Sequence, residues 1–250
     1  MGEAFEWIRR GRAPMMLSGG AEATITALGI GGFSAMFALS RATTSPERAS
    51  RPWDKGRDGF VCGGGRGVAR ARVAVARQGA RRPIYGEVTG LRRLLRRVPP
   101  HEARPEGEGA SAHALGAQAD ARLDPSAIGY VNAHGTSTPH GDLEEARAVI
   151  EGVRRRTLTD KKLWVSSTKS VMGHLLGGAA GSRRRCRRSP SREGKVPPTI
   201  NLEDPDPERL STACRIDRAS AHARHVMSQL VRLRRDQRTL VFSRRLSSSR

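Results

Sequence analysis

The sequence predicts a mixed α/β protein, and three features point there. Short strand-like runs end in turns rich in glycine and hydroxyl residues, as in Ile128–Asn132 before His134-Gly135 and Leu163–Ser166 before Thr168-Lys169. Segments of helical periodicity, Glu3–Arg12 and Leu143–Ile150, lie among them. A length of 250 residues allows one large domain or two small ones.

The elements follow in chain order. Glu3–Arg12 reads as a helix, and Met15–Leu17 as a short buried strand ahead of Gly19-Gly20. Met15–Ser40 is the long weakly polar run. Glu22 and the Gly and Thr residues within it indicate a segment buried in protein rather than a membrane helix. Ile84–Thr89 alternates like a strand. Residues 100–123 are polar and rich in Ala and Gly, and read as a loose surface region. Asp142 stands as an N-cap for Leu143–Ile150, with Glu145 three residues on. His174 begins or precedes a helix through Leu176, and Pro197–Pro207 is an extended, proline-rich loop. No short-period repeat is evident. Cys62, Cys186 and Cys214 lack paired spacing, which supports neither a disulfide framework nor a zinc site. The N-terminus has no basic stretch followed by an apolar core and a small-residue cleavage site, so the expected location is cytoplasmic.

The chemistry concentrates in Tyr130–Pro139 (YVNAHGTSTP), Ser166–Ser170 (SSTKS) and Gly173-His174. Small neighbours let a ligand approach the two histidines closely. Two neutral imidazoles aimed at one carbonyl oxygen can hold a developing enolate. Three further islands accompany these: Met15–Ser40, Ala49–Gly63 (ASRPWDKGRDGFVCG) and Lys195–Pro207 (KVPPTINLEDPDP). Together and in this order the islands resemble the β-ketoacyl-acyl carrier protein synthases, the elongating condensing enzymes of fatty-acid synthesis.

The resemblance implies a thiolase-like fold, layered α/β/α/β/α and built from two duplicated halves, here incomplete. Residues 1–90 would be the end of the first half, 91–127 a loose polar connection and 128–250 a damaged second half. It also implies decarboxylative condensation of an acyl-enzyme with malonyl-carrier protein. His134 and His174 match the family's two histidines, which donate hydrogen bonds to the malonyl thioester carbonyl. Lys169 matches its active-site lysine, with Asp142 and Glu145 as acidic partners. Opposite charges nearby are expected to keep all three ionised. Thr136 and Thr138 match hydroxyls that contact the pantetheine arm. His101, His113, His140, His222 and His225 lie outside the matched motifs and read as structural. The implied partners are acyl carrier protein and a second synthase subunit. No metal, cofactor, membrane or specific nucleic acid is implied.

The pattern departs from the family in several places. The acyl-accepting cysteine has no counterpart. Met1–Arg10 already resembles a helix midway through the first half, Cys62 stands where Met is usual, and Cys214 follows the PPTINL island. Gly64 replaces a Glu, an extra Gly follows GHLLG, and the C-terminal FGFGGTN segment is missing.

Composition adds a second theme. The formal charge is +21, and basic residues crowd into residues 70–82, 91–98, 183–188 and 209–238. Such runs fit nucleic-acid or anionic surfaces, or solvated disorder. A neighbouring reading frame accounts for them better. Leu91–Pro99 (LRRLLRRVP) can be encoded so that the next frame spells YGASSDAYH, and Gln229–Arg238 so that it spells NSFGFGGTN, both family-like. Residues 183–191 and 209–238 are therefore expected to be out of frame. Arginines in place of apolar residues conflict with burial, so poor or incomplete folding is expected. Two other readings stay open, a basic nucleic-acid-binding protein and a non-catalytic partner of an intact synthase. Sparse aromatics (4%) and the absence of a zinc finger or RNA-recognition signature weigh against the first.

Overall fold

The computed structural model describes residues 1–73, 84–95, 108–153, 163–179, 195–206, 223–231 and 236–244. Helices α1 (Gly2–Arg9) and α2 (Ala27–Ala35) flank strand β1 (Met15–Glu22), which pairs antiparallel with β2 (Gly65–Arg72). Then come β3 (Glu87–Leu95), α3 (Glu108–Asp120), β4 (Ile128–Asn132), α4 (Pro139–Gly152), β5 (Trp164–Ser166), α5 (Lys169–Met172), β6 (His225–Val231) and β7 (Asp236–Ser243). The second sheet has five strands in the order β3-β7-β6-β4-β5. Its β4 runs parallel to β5 and β6, whereas β7 runs antiparallel to β3 and β6.

This sheet is covered on both faces, so its inner strand β4 is buried nearly throughout. Ile128 and Val131 join Ala114, Ala117, Val149, Val153, Val165, Met227 and Val241 on one side. Tyr130 joins Val196, Ala223, Val226 and Phe242 in a separate cluster. Strict alternation would put Ile128 with Tyr130. The β4–β6 register shifts between those two residues, and the irregularity turns Ile128 to Val131's cluster.

Several elements differ from the sequence expectation. Residues 108–120 form α3, a helix whose Ala114 and Ala117 are fully buried, rather than a loose surface region. Alanine is the best helix former, and its small side chain lets the helix sit close on the sheet. A Cβ at Gly90 of β3 would lie 2.3 Å from the Ala117 carbonyl oxygen, which measures that closeness. The strand expected at Ile84–Thr89 begins at Glu87 and runs on to Leu95. It starts inside the stretch expected to end the first half, yet it pairs with β7 in the second sheet. Arg92 on it is exposed, so this guanidinium is not forced into the core. Within the stretch expected to be out of frame, His225–Val231 forms β6, whose adjacent Val226 and Met227 are buried on opposite faces, Val226 with Tyr130 and Met227 with Val131. Residues 183–191 lie outside the described residues. Met15–Ser40 is not uniformly buried, since Leu17, Ile25, Leu28, Met36 and Phe37 are exposed. Among the described residues no helix is long and apolar enough to cross a membrane.

Parallel pairing positions the site. Tyr130, Val131 and Asn132 align with Trp164, Val165 and Ser166, so the C-terminal ends of β4 and β5 lie side by side. The loops that leave these ends carry His134 and Lys169. Carboxyl ends of parallel strands are where open α/β sheets place ligands.

Candidate active site

The His134 loop is held by the helix that follows it. Ala133 N–H still donates to the Ser166 carbonyl at 3.0 Å, continuing the sheet. The chain then turns through Gly135 (φ +33°) and Ser137 (φ +70°). A Cβ at Gly135 would lie 2.5 Å from the Ser167 Cβ, so glycine is required by space as well as by conformation. Asp142 and Glu145, three apart on α4, point their carboxylates back at this loop. Glu145 accepts the His134 and Gly135 N–H groups at 2.6 Å each. Asp142 accepts those of Thr136 (2.8 Å), Ser137 (3.1 Å) and Trp53 (3.1 Å).

Asp142 is therefore not the N-cap expected from the sequence. Thr138 holds that position, with Pro139 opening the helix, and Asp142 lies within the first turn. Nor do neighbouring charges govern its ionisation. Burial pushes the Asp142 carboxyl up to about 6, with Glu145 adding to the rise and Arg57 and the Trp53 and Thr136 amides opposing it. Arg57 Nε lies 3.9 Å from Asp142, a gap at which desolvation outweighs attraction.

Lys169 opens α5 and is buried. Its Nζ donates to the His134 carbonyl and lies 3.3 Å from His134 Nδ1. His174 follows the turn at Gly173 (φ +71°). A 3-10 turn, Leu176–Gly178, follows it, and Ala179 then takes a helical conformation. The His174 backbone is clamped by Val61 and Gly63, at 2.7 and 3.0 Å. Its Nδ1 accepts the Leu176 N–H at 3.0 Å.

These contacts define the tautomers. An amide N–H pointing at His174 Nδ1 requires that nitrogen to be an acceptor, so the proton sits on Nε2. The Lys169 ammonium places His134 in the same state. The two rings meet edge to face, with centroids 5.4 Å apart and an interplanar angle of 88°. Phe60 packs on His174 at 5.2 Å and Phe33 on Phe60 at 5.3 Å, giving the pair an apolar wall.

Thr136 and Thr138 join through their hydroxyls at 2.9 Å. Residues without a marked role in the sequence complete the frame. Ser50 Oγ donates to the Lys169 carbonyl, and Asn201 Nδ2 to the Glu47 and Ser50 carbonyls. Burial pushes the Asp54 carboxyl upward, but the amides of Asp204, Gly56 and Glu203, with Arg51, hold it below the usual carboxylate range. The SRPWDKG run carried this signal, since an Asp that accepts the N–H two residues on, here Gly56 at 2.8 Å, is a common way to organise a turn.

Cys62 lies beside His174 through a backbone bridge, and burial pushes its thiol up, which disfavours the thiolate. Cys186 and Cys214 lie outside the described residues, as do His101 and His222. His225 bonds Ser243 Oγ at 2.8 Å, and burial lowers its pKa, consistent with a structural role. Among the described residues no group of three or more His, Cys, Asp or Glu could hold a metal ion.

Two family models match the chain, the β-ketoacyl synthase N-terminal domain over residues 1–69 and the β-ketoacyl synthase C-terminal domain over residues 98–203. The chain belongs to the β-ketoacyl synthase family. Among curated relatives it is 43% identical to the 3-oxoacyl-[acyl-carrier-protein] synthase 2 of Synechocystis sp. over 211 residues, which covers 83% of this chain and 49% of the relative. It is 42% identical to the enzyme of the same name from Staphylococcus aureus over 208 residues, with 83% and 49% covered. The chain thus spans about half the length of the curated relatives it matches. Among solved structures it aligns with a β-ketoacyl synthase from Burkholderia phymatum (TM-score 0.85, 30% identity, 98% of this chain and 58% of that one). It also aligns with a type II polyketide ketosynthase solved with its acyl-carrier protein (TM-score 0.88, 27% identity, 98% and 60%). These neighbours place the described elements in the thiolase-like fold, as an incomplete version of it.

Proposed function

We propose that the chain carries the malonyl-activating side of a 3-oxoacyl-acyl carrier protein synthase of fatty-acid biosynthesis. The observation that supports this reading is the imidazole pair at 134 and 174, each with Nδ1 facing a donor and each therefore presenting Nε2–H. Both groups would donate to the carbonyl oxygen of a malonyl thioester. The bond from the α-carbon to the carboxylate breaks, CO2 leaves, and the electron pair becomes an enolate held by the two donors. In the complete reaction that carbon attacks an acyl thioester, a carbon–carbon bond forms, and the cysteine thiolate departs. Lys169 fixes His134, Glu145 and Asp142 shape its loop, and Thr136 and Thr138 would meet the pantetheine arm.

The acyl side is different. No cysteine within these 250 residues lies in a motif that matches the family's acyl-accepting thiol, so we read these residues alone as not condensing. The partners are acyl carrier protein and a second synthase subunit, and the location is cytoplasmic. Sequence identity of 41–43% to 3-oxoacyl-[acyl-carrier-protein] synthases supports the fatty-acid route. Residues 183–191 and 209–238 are read as family segments in a shifted frame, within halves bounded at about 90 and 128.

The test mixes the chain with acyl- and malonyl-loaded carrier protein and follows two quantities. No 3-oxoacyl product is expected. Binding of the malonyl-loaded carrier should weaken about tenfold in His134→Ala and in His174→Ala, as the loss of one hydrogen bond implies. Equal binding by wild type and both variants would reject the assignment.

A further inference from the structure

We infer that Ser167 is a positioning residue that sets the proton-bearing nitrogen of His134. Ser167 is fully buried, and five hydrogen bonds meet on it, one of them from the Ser170 N–H to its carbonyl at 3.4 Å. Its Oγ donates to the Gly135 carbonyl at 2.6 Å and accepts the Lys169 N–H at 3.3 Å. Its own N–H donates to Thr199 Oγ1 at 3.0 Å, and its carbonyl accepts the Ser170 hydroxyl at 2.9 Å.

The two Oγ contacts close a ring of interactions. From the Gly135 carbonyl the path runs through Ser167 Oγ to the Lys169 amide, along the lysine side chain to Nζ, and back to His134 Nδ1 and its carbonyl. The hydroxyl therefore fixes the distance between the peptide that carries the imidazole and the backbone that carries the ammonium. Backbone contact is tight enough to transmit this, because a Cβ at Gly135 would meet the Ser167 Cβ at 2.5 Å. His174 stands outside the ring. Its Nδ1 is set by the Leu176 amide and its backbone by Val61 and Gly63. One histidine thus depends on Ser167 and its neighbour does not, which provides an internal control.

The inference rests on His134 being an enolate donor, but its test needs no turnover. Nitrogen-15 NMR of histidine-labelled protein reads the tautomer of each ring directly, so a failure here differs from a failure of catalysis. Wild type should give the Nε2–H form at both positions. Ser167→Ala should move His134 toward mixed tautomers and leave His174 unchanged. Thr199→Val, which removes a bond to the same residue without touching Oγ, should leave both rings as in wild type. Should the alanine variant not fold, Ser167→Cys fills the same space with a weak donor and should give a partial His134 shift. An unchanged His134 spectrum in whichever Ser167 variant folds overturns the inference. So does an equal change at both histidines, or the same His134 shift in Thr199→Val.

Discussion

Glu145→Ala is expected to unfold the His134 loop and to cost about 4 kcal/mol of stability, from two buried amides at about 1–3 kcal/mol each with the accompanying cavity. The side chain is buried, and each carboxylate oxygen takes one amide at 2.6 Å, from His134 and Gly135. Both carboxyl oxygens are thus committed to the loop backbone. Alanine removes both acceptors and leaves the two amides without these partners. Glu145→Gln keeps one good acceptor and should lose about half as much. A marginally stable domain has only about 5–15 kcal/mol to lose, so the alanine variant should denature at markedly lower urea. A loss below about 1 kcal/mol would mean that the loop is held by other contacts.

Asp142→Asn should change how stability depends on pH. Burial pushes the Asp142 carboxyl up to about 6 in the folded chain, above the ordinary carboxylate range. Its favourable contribution is therefore complete below the unfolded value and disappears as pH rises through about 6. The scale is about 3 kcal/mol at most between pH 4 and pH 7. Glu145 and Arg57 are the charges that face it, and neither is removed by the substitution. Asp54 acts in the opposite sense. Its carboxyl is held low, so its contribution is present above the unfolded value and lost as pH falls. That effect is shared by wild type and variant and cancels in their difference. Urea unfolding of both proteins from pH 4 to pH 7 should show the wild-type advantage shrinking as pH rises. An advantage that stays constant or grows would show that the backbone amides, not burial, dominate at Asp142.

The chemistry of the site was far more legible in the sequence than its support. His134, Lys169 and His174 sit in short, glycine-punctuated motifs, and parallel pairing of β4 with β5 needs only two short apolar runs to bring two of them together. Asp142 and Glu145 were legible as a pair because they stand at the spacing of a helix cap and match the family's acidic segment. What Asp142 does was not, since a cap and a loop anchor share the same sequence signal. The hydroxyls of Ser50, Ser167 and Thr199 are invisible to hydropathy, as serine and threonine are at home in any turn. Helix α3 was missed because alanine and glycine give a weak apolar stripe, and only the closeness of Gly90 to Ala117 reveals how well such a surface packs. The arginine-dense segments pose a different question. Arg92 lies on a strand with its side chain exposed, so a charge run alone did not decide whether a strand could form.

The central claim is that the chain holds the malonyl-activating imidazoles without an acyl-accepting thiol. Intact-mass spectrometry after incubation with acyl-loaded carrier protein tests it most directly. The mass should remain that of the unmodified 27.1 kDa chain, with Cys62, Cys186 and Cys214 all free of acyl groups. A thioester adduct on any of the three, appearing together with 3-oxoacyl product when malonyl-carrier protein is added, would contradict it.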